Sequence, residues 1–139
     1  AGLADRIASI SGHPPVFLGS PEDRTAMDRI AGLMREPGVD LVGRTTLGEA
    51  AALVGRARGM VGVDTGLTHM SIAFQTPTVA LFGSTTPYLD PPNPRTSILH
   101  HPMECSPCET RPTCDGAFTC MRSIQVAEVE GALGRVLAG

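Results

Sequence analysis

The sequence predicts an α/β domain built on a doubly wound, Rossmann-like parallel sheet. Three observations carry that prediction. Short apolar runs of strand length alternate with amphipathic stretches of about ten residues, the pattern of right-handed βαβ units. One run, Thr78-Val79-Ala80-Leu81-Phe82, is apolar almost throughout, as expected of a strand covered on both faces. The chain has 139 residues, enough for one domain with a real core and not comfortably enough for two. Residues 1–139 are therefore read as a single domain.

The elements follow in order. Leu3, Ile7 and Ile10 recur at helical spacing until Ser11-Gly12 ends the run. A helix with no strand before it, and no initiator methionine, implies a piece of something longer. Val16-Phe17-Leu18-Gly19 reads as a short buried strand. Ser20-Pro21-Glu22-Asp23 starts a helix, with a serine cap, proline at the first position and acids in the first turn. Ala26, Met27, Ile30, Leu33 and Met34 give that helix an apolar face, and Pro37-Gly38 stops it. Val39 to Val42 is a second strand. Thr46-Leu47-Gly48-Glu49 is a capping box ahead of a helix striped by Leu47, Ala50, Ala51 and Val54. Met60 to Val63 is a third strand, Leu67 to Phe74 a short helix, and Thr78 to Phe82 the next strand. Ile124 to Leu137 is an amphipathic helix with Val129, Leu133, Val136 and Leu137 inward. Pro87 to Thr119 is rich in proline, contains all four cysteines and shows no helical period. It reads as a long ordered loop or a small appended motif.

Composition narrows the function classes. Hydrophobic residues make up 42% and charged residues 18%, which is a folded composition and not a disordered one. No apolar run approaches the roughly 20 residues of a membrane-spanning helix. No signal peptide opens the chain, so a cytoplasmic protein is expected. The net charge is -3 and the arginines are scattered, so nucleic acid is not an expected partner.

Chemistry concentrates at Gly62-Val63-Asp64-Thr65-Gly66-Leu67-Thr68-His69-Met70. In an open parallel sheet, ligands bind at the carboxyl ends of strands, and Asp64-Thr65-Gly66 lies at such an end. The helix that follows begins with free N–H groups and a partial positive charge, together an anion site. Gly66 permits close backbone approach, Thr65 and Thr68 add hydroxyl donors, and His69 lies one turn in. The stretch reads as a diphosphate cradle. It is equally an ordinary helix cap, since Asp or Thr before a helix needs no ligand to explain it. The D-T-G triplet also surrounds the catalytic aspartates of aspartic proteases, but those are all-β and this pattern is βα. A second loop, Gly83-Ser84-Thr85-Thr86-Pro87, leaves the sheet on the same edge after Phe82. It offers a glycine and three hydroxyls to phosphate or sugar oxygens, or else is a polar turn broken by Pro87.

The cysteines fall at Cys105, Cys108, Cys114 and Cys120, within a loop of residues 100–122. A C-x-x-C pair with two more cysteines nearby is compatible with a structural tetrahedral zinc. The gaps do not match usual iron–sulfur spacings. Four free thiols are the plainer alternative, and thiols in a cytosolic protein are seldom paired in disulfides. His100 and His101 could supply a metal ligand or simply be solvated. A redox role is disfavoured because no thioredoxin-like strand precedes the pair.

The block "GRTTLGEAAALVGRARGMVGVDTGLTHMSIAFQTPTVALFGSTTP", together with "CSPCETRPTCDGAFTCMRSI", resembles the C-terminal domain of the ADP-heptose:lipopolysaccharide heptosyltransferases, glycosyltransferase family nine. The resemblance runs from about Val16 to the C-terminus. It implies one Rossmann-like half of a two-domain GT-B enzyme, the half that holds the nucleotide-sugar donor. By that resemblance Asp64 contacts the donor sugar, and Thr65, Gly66 and Leu67 bring donors to the diphosphate. His69 supports the turn or the phosphates, Glu22 binds the ribose hydroxyls, and Thr46 and Leu47 lie near the base. Glu22 also reads simply as a first-turn acid favoured by the helix dipole. Thr86 departs from the family, which commonly has an aspartate there.

The implied reaction is an inverting transfer that requires no cofactor, from ADP-heptose or a related donor to a lipid-linked glycan at the inner face of the membrane. The catalytic base is expected in an N-terminal acceptor domain of the same enzyme. This chain alone is expected to bind donor without turnover. Two alternatives remain from the residues: a non-catalytic interaction module organised by metal, and the GT-B half of another nucleotide-sugar enzyme such as an epimerase.

Overall fold

A computed structural model describes residues 1–87, 90–91, 93–109 and 111–139. Parts of the Pro87–Thr119 region, at positions 88, 89, 92 and 110, therefore lie outside the described residues. The chain divides into two compact units, residues 1–50 and 51–139.

The first unit contains α1 (Gly2–Ser11), β1 (Val16–Phe17), a 3-10 turn (Pro21–Asp23), α2 (Arg24–Ala31), β2 (Val39–Asp40) and the start of α3 (Leu47–Arg56). α1 ends as expected at Gly12, whose φ of 68° is the left-handed conformation that glycine adopts cheaply. β1 and β2 pair in parallel, Val16 with Val39 and Phe17 with Asp40. Arg24 braces the unit by reaching Asp40 at 2.8 Å and Asp28 at 3.0 Å. Asp5 in α1 accepts the Arg35 and Glu36 N–H groups at 2.9 and 3.1 Å. The start of the second helix differs in detail from the sequence expectation. Asp23 is the acceptor, taking both the N–H and the hydroxyl of Ser20 at 2.8 and 2.9 Å. The helical face is also narrower than expected. Met27 is buried, but Ala26 is exposed and Leu33 is 74% exposed, because α2 ends at Ala31 and Leu33 lies in the turn beyond it.

The second unit contains the rest of α3, then β3 (Met60–Val63), α4 (Gly66–Ala73), β4 (Thr78–Phe82), β5 (Thr96–His100), α5 (Thr119–Arg122) and α6 (Val126–Ala138). Its three strands form one parallel sheet in the order β3-β4-β5. Met60 pairs with Thr78, Thr78 with Thr96, and Phe82 with His100. β4 is central, and Val79, Ala80 and Phe82 are almost wholly removed from water. α6 contributes Val129, Ala132 and Val136 to the core. Leu137, expected inward, is 46% exposed, since the helix ends one residue later. β5 was not legible in the proline-rich stretch.

Hydroxyls tie the amino ends of these strands. Ser71 Oγ donates to Thr78 Oγ1 at 2.6 Å, because the Thr78 proton goes to the Thr76 carbonyl at 2.7 Å. Thr76 Oγ1 donates to the Val54 carbonyl at 3.0 Å. All three residues are buried, and their hydroxyls are all hydrogen-bonded, as buried polar groups must be.

At the other end of β3, Thr68 is fully buried and its hydroxyl donates to the Val63 carbonyl at 2.6 Å. A Cβ on Gly62 would collide with that hydroxyl. Gly62→Ala is therefore expected to destabilise the protein by about 1–3 kcal/mol through overpacking, read as a lower urea midpoint. An unchanged midpoint would show that Thr68 can leave its carbonyl at no cost.

Candidate functional site

The site grows from the turn between β3 and α4. Val63 ends the strand, Asp64 and Thr65 make the turn, and Gly66 opens the helix. Thr65 is the N-cap residue, in extended conformation (φ -142°, ψ 164°). Its carbonyl accepts the Thr68 and His69 N–H groups at 3.0 and 3.2 Å, while its hydroxyl makes no cap bond to the helix. Among the described residues nothing accepts the Gly66 and Leu67 N–H groups. Those donors and the positive end of α4 point out from the carboxyl edge of a parallel sheet. Asp64, Thr65 and Gly66 are exposed, and Leu67 is half-buried.

His69 reaches back from the first turn of α4 to Asp64, Nε2 to Oδ1 at 2.9 Å, with side chains 42% and 29% exposed. The pair holds one oxygen of the Asp64 carboxylate toward the helix. Thr68 is a correction. It was expected to offer a hydroxyl to the ligand, but that hydroxyl is buried and committed to Val63, so Thr68 builds the turn instead.

The second loop is engaged by the cysteine segment. The Gly83 carbonyl accepts the Ser106 hydroxyl at 2.7 Å, and the Ser84 carbonyl accepts the Glu109 N–H at 2.7 Å. A Cβ at Gly83 would stand 2.7 Å from Met121 Sδ and 3.1 Å from Cys120 Sγ. The missing side chain of Gly83 thus makes room for that segment. Thr85 Oγ1 and His100 Nε2, near the carboxyl ends of β4 and β5, are buried without a hydrogen-bond partner among the described residues.

Glu22, Thr46 and Leu47 belong to the first unit. Glu22 is exposed in the 3-10 turn, and Leu47 is exposed at the start of α3. The predicted capping box is present. Glu49 Oε2 accepts the Thr46 N–H and hydroxyl, each at 2.8 Å, and the Glu49 N–H donates to Thr46 Oγ1 at 3.3 Å. Thr46 therefore spends its polar groups on the helix.

The four cysteines are free thiols. Among the described residues no group of three or more His, Cys, Asp or Glu side chains is placed to hold a metal. The described sulfurs have separate surroundings. Cys120 packs on Gly83, Cys114 accepts the Phe118 N–H at 3.4 Å, and Cys105 is exposed. Sequence reasoning also missed a cluster of His101, Ser123 and Glu128, residues too far apart in the chain to signal one another. Two cavities of about 470 and 410 Å³ lie around Gly55 and Phe74, by residues that precede β4 and β5. Neither is lined by Asp64, Thr65 or Gly66.

A parallel α/β sheet with an uncapped helix at its carboxyl edge is Rossmann-like, an architecture that GT-B glycosyltransferases share with other nucleotide-binding proteins. Two solved structures share the fold. One is E. coli ADP-heptose lps heptosyltransferase II, with a TM-score of 0.81 and 24% identity over 99% of this chain and 40% of that one. The other is the glycosyl transferase family 9 protein from Veillonella parvula, with a TM-score of 0.78 and 22% identity over the same shares. The chain belongs to glycosyltransferase family 9 (heptosyltransferase), whose profile matches residues 5–117. Among relatives, the lipopolysaccharide heptosyltransferase 1 of Pseudomonas aeruginosa is 32% identical over 113 residues, 81% of this chain and 31% of that protein. The lipooligosaccharide heptosyltransferase 2 of Haemophilus influenzae is 33% identical over 96 residues, 66% of this chain and 28% of that protein. The chain thus spans about three-tenths of these relatives' length.

The capping box carries a pH signature. The Thr46 N–H, and after it the Thr46 hydroxyl, hold the Glu49 carboxyl below its ordinary range. A depressed carboxyl stabilises the fold above its unfolded value, and that contribution fades as pH falls through the folded value. Parent and Glu49→Gln should therefore differ in thermal midpoint at about pH 7 and converge toward about pH 3. An equal gap at both pH values would mean the charge of Glu49 is not what the cap uses.

Proposed function

We propose that the chain is the donor-binding part of a heptosyltransferase-like glycosyltransferase and holds a nucleoside diphosphate sugar at the β3–α4 turn. The observation that carries this is the uncapped start of α4 beside the Asp64–His69 pair. The Gly66 and Leu67 N–H groups and the helix dipole suit a diphosphate. The Thr65 hydroxyl adds a donor, and Asp64 suits a sugar hydroxyl. Names of the relatives favour ADP-heptose as the donor and a lipopolysaccharide precursor as the acceptor. Ser84 and Thr85 would line the same edge.

The reading assigns this chain a defined share of the chemistry. As the glycosidic bond to the diphosphate breaks, negative charge grows on the departing oxygen. N–H groups already aimed there stabilise it without reorganising. Deprotonation of the acceptor hydroxyl falls to a base outside this chain, in an N-terminal acceptor domain. The lipid-linked acceptor would bring the whole enzyme to the inner membrane face. Among the described residues no helix is long and apolar enough to cross a membrane.

Calorimetric titration with ADP, UDP and GDP tests the proposal. ADP is expected to bind best, and His69→Ala to weaken it about tenfold or more, the loss of one charge-assisted hydrogen bond. Asp64→Ala is expected to weaken an ADP-sugar more than ADP itself. Equal binding of ADP by the parent and His69→Ala, with ADP-sugar binding unchanged in Asp64→Ala, would remove the turn from the site.

A further inference from the structure

The cysteine segment is attached to the sheet at both ends. Near its start, Ser106 and Glu109 donate to the Gly83 and Ser84 carbonyls, each at 2.7 Å. Near its end, Cys120 and Met121 fill the space beside Gly83. What fixes that end is His101, the residue after β5. Its Nδ1 meets Ser123 Oγ at 2.9 Å, and its Nε2 meets Glu128 Oε1 at 3.0 Å. Ser123 caps the C-terminus of α5, and Glu128 lies in the first turn of α6.

One ring nitrogen of His101 thus meets the serine hydroxyl and the other the carboxylate, joining the end of β5 to both helices that follow the cysteines.

We propose that His101 is the clasp of a strap: a positioning residue that, through Ser123 and Glu128, keeps residues 105–109 and 111–123 seated on the Gly83–Ser84 turn. That turn stands at the same carboxyl edge as Asp64, so an unseated strap would loosen the second wall of the donor site. The strap follows from the geometry alone, and its effect on ligand rests on the donor-site reading. Losing His101 removes two hydrogen bonds, one of them to a carboxylate, enough to raise the open population about tenfold.

Thiol reactivity reads the strap directly. Cys105 is exposed and serves as the internal reference, while Cys108, Cys114 and Cys120 are half-buried. The four sites are followed by mass spectrometry during reaction with an aromatic disulfide. His101→Ala and Ser123→Ala should speed the three half-buried thiols about tenfold relative to Cys105. Ser123→Thr, which keeps the hydroxyl, should retain the parent rates. Hydrogen exchange at the Glu109 amide should rise in step, with the β3 amides unchanged, which separates an open strap from a protein that fails to fold. ADP affinity should fall several-fold in His101→Ala and Ser123→Ala and recover in Ser123→Thr. Parent-like thiol rates in both alanine variants would overturn the strap. Faster thiols with unchanged ADP affinity would overturn the positioning role. If the parent binds no nucleotide, the donor reading fails, and the thiol and exchange rates still decide the strap.

Discussion

The hydrogen bond from Thr68 to the Val63 carbonyl is the constraint on which the rest of the site depends. It joins the last residue of a strand to the first turn of a helix, inside the protein, at 2.6 Å. Because it spans the turn, Asp64, Thr65 and Gly66 have little freedom left and project to solvent. The α4 N–H groups then face outward in a direction set by β3. Gly62 belongs to the same device, since any larger residue would displace the hydroxyl. The stretch thus separates its labour. Gly62 and Thr68 are buried or tightly packed and fix the geometry, while the exposed residues between them are left to meet a ligand.

This separation explains which parts of the sequence were legible. β3 and β4 were read to the residue because apolar runs bounded by turn formers have few other interpretations. The Thr46–Glu49 box was read correctly because a cap is a local interaction whose spacing is its signature. Thr68 was misread as a ligand contact because its hydroxyl serves a carbonyl five residues back, a contact that no helical or strand period announces. The packing at Gly83 escaped the sequence at longer range: its missing side chain accommodates Met121 and Cys120, nearly forty residues on. β5 hid among prolines, Leu33 was placed inward by a period that runs past the end of α2, and Leu137 lies exposed in the last turn of α6.

Among the described residues the sulfurs of the cysteine segment face different neighbours. What holds the segment is ordinary hydrogen bonding at its two ends, from Ser106 and Glu109 on one side and His101 on the other. None of those residues belongs to the cysteine pattern.

The two loops at the carboxyl edge therefore stand in contrasting states. The β3–α4 turn is rigid from below and open above, with helix donors unspent. The β4 loop has its first two carbonyls engaged by Ser106 and Glu109, while Thr85 Oγ1 and His100 Nε2 are buried without a partner among the described residues. An edge that holds one loop by a buried hydroxyl and the other by a clasped strap keeps its geometry before any ligand arrives. That is the condition under which N–H donors stabilise a departing diphosphate most effectively, because none of the binding energy is spent on assembling them.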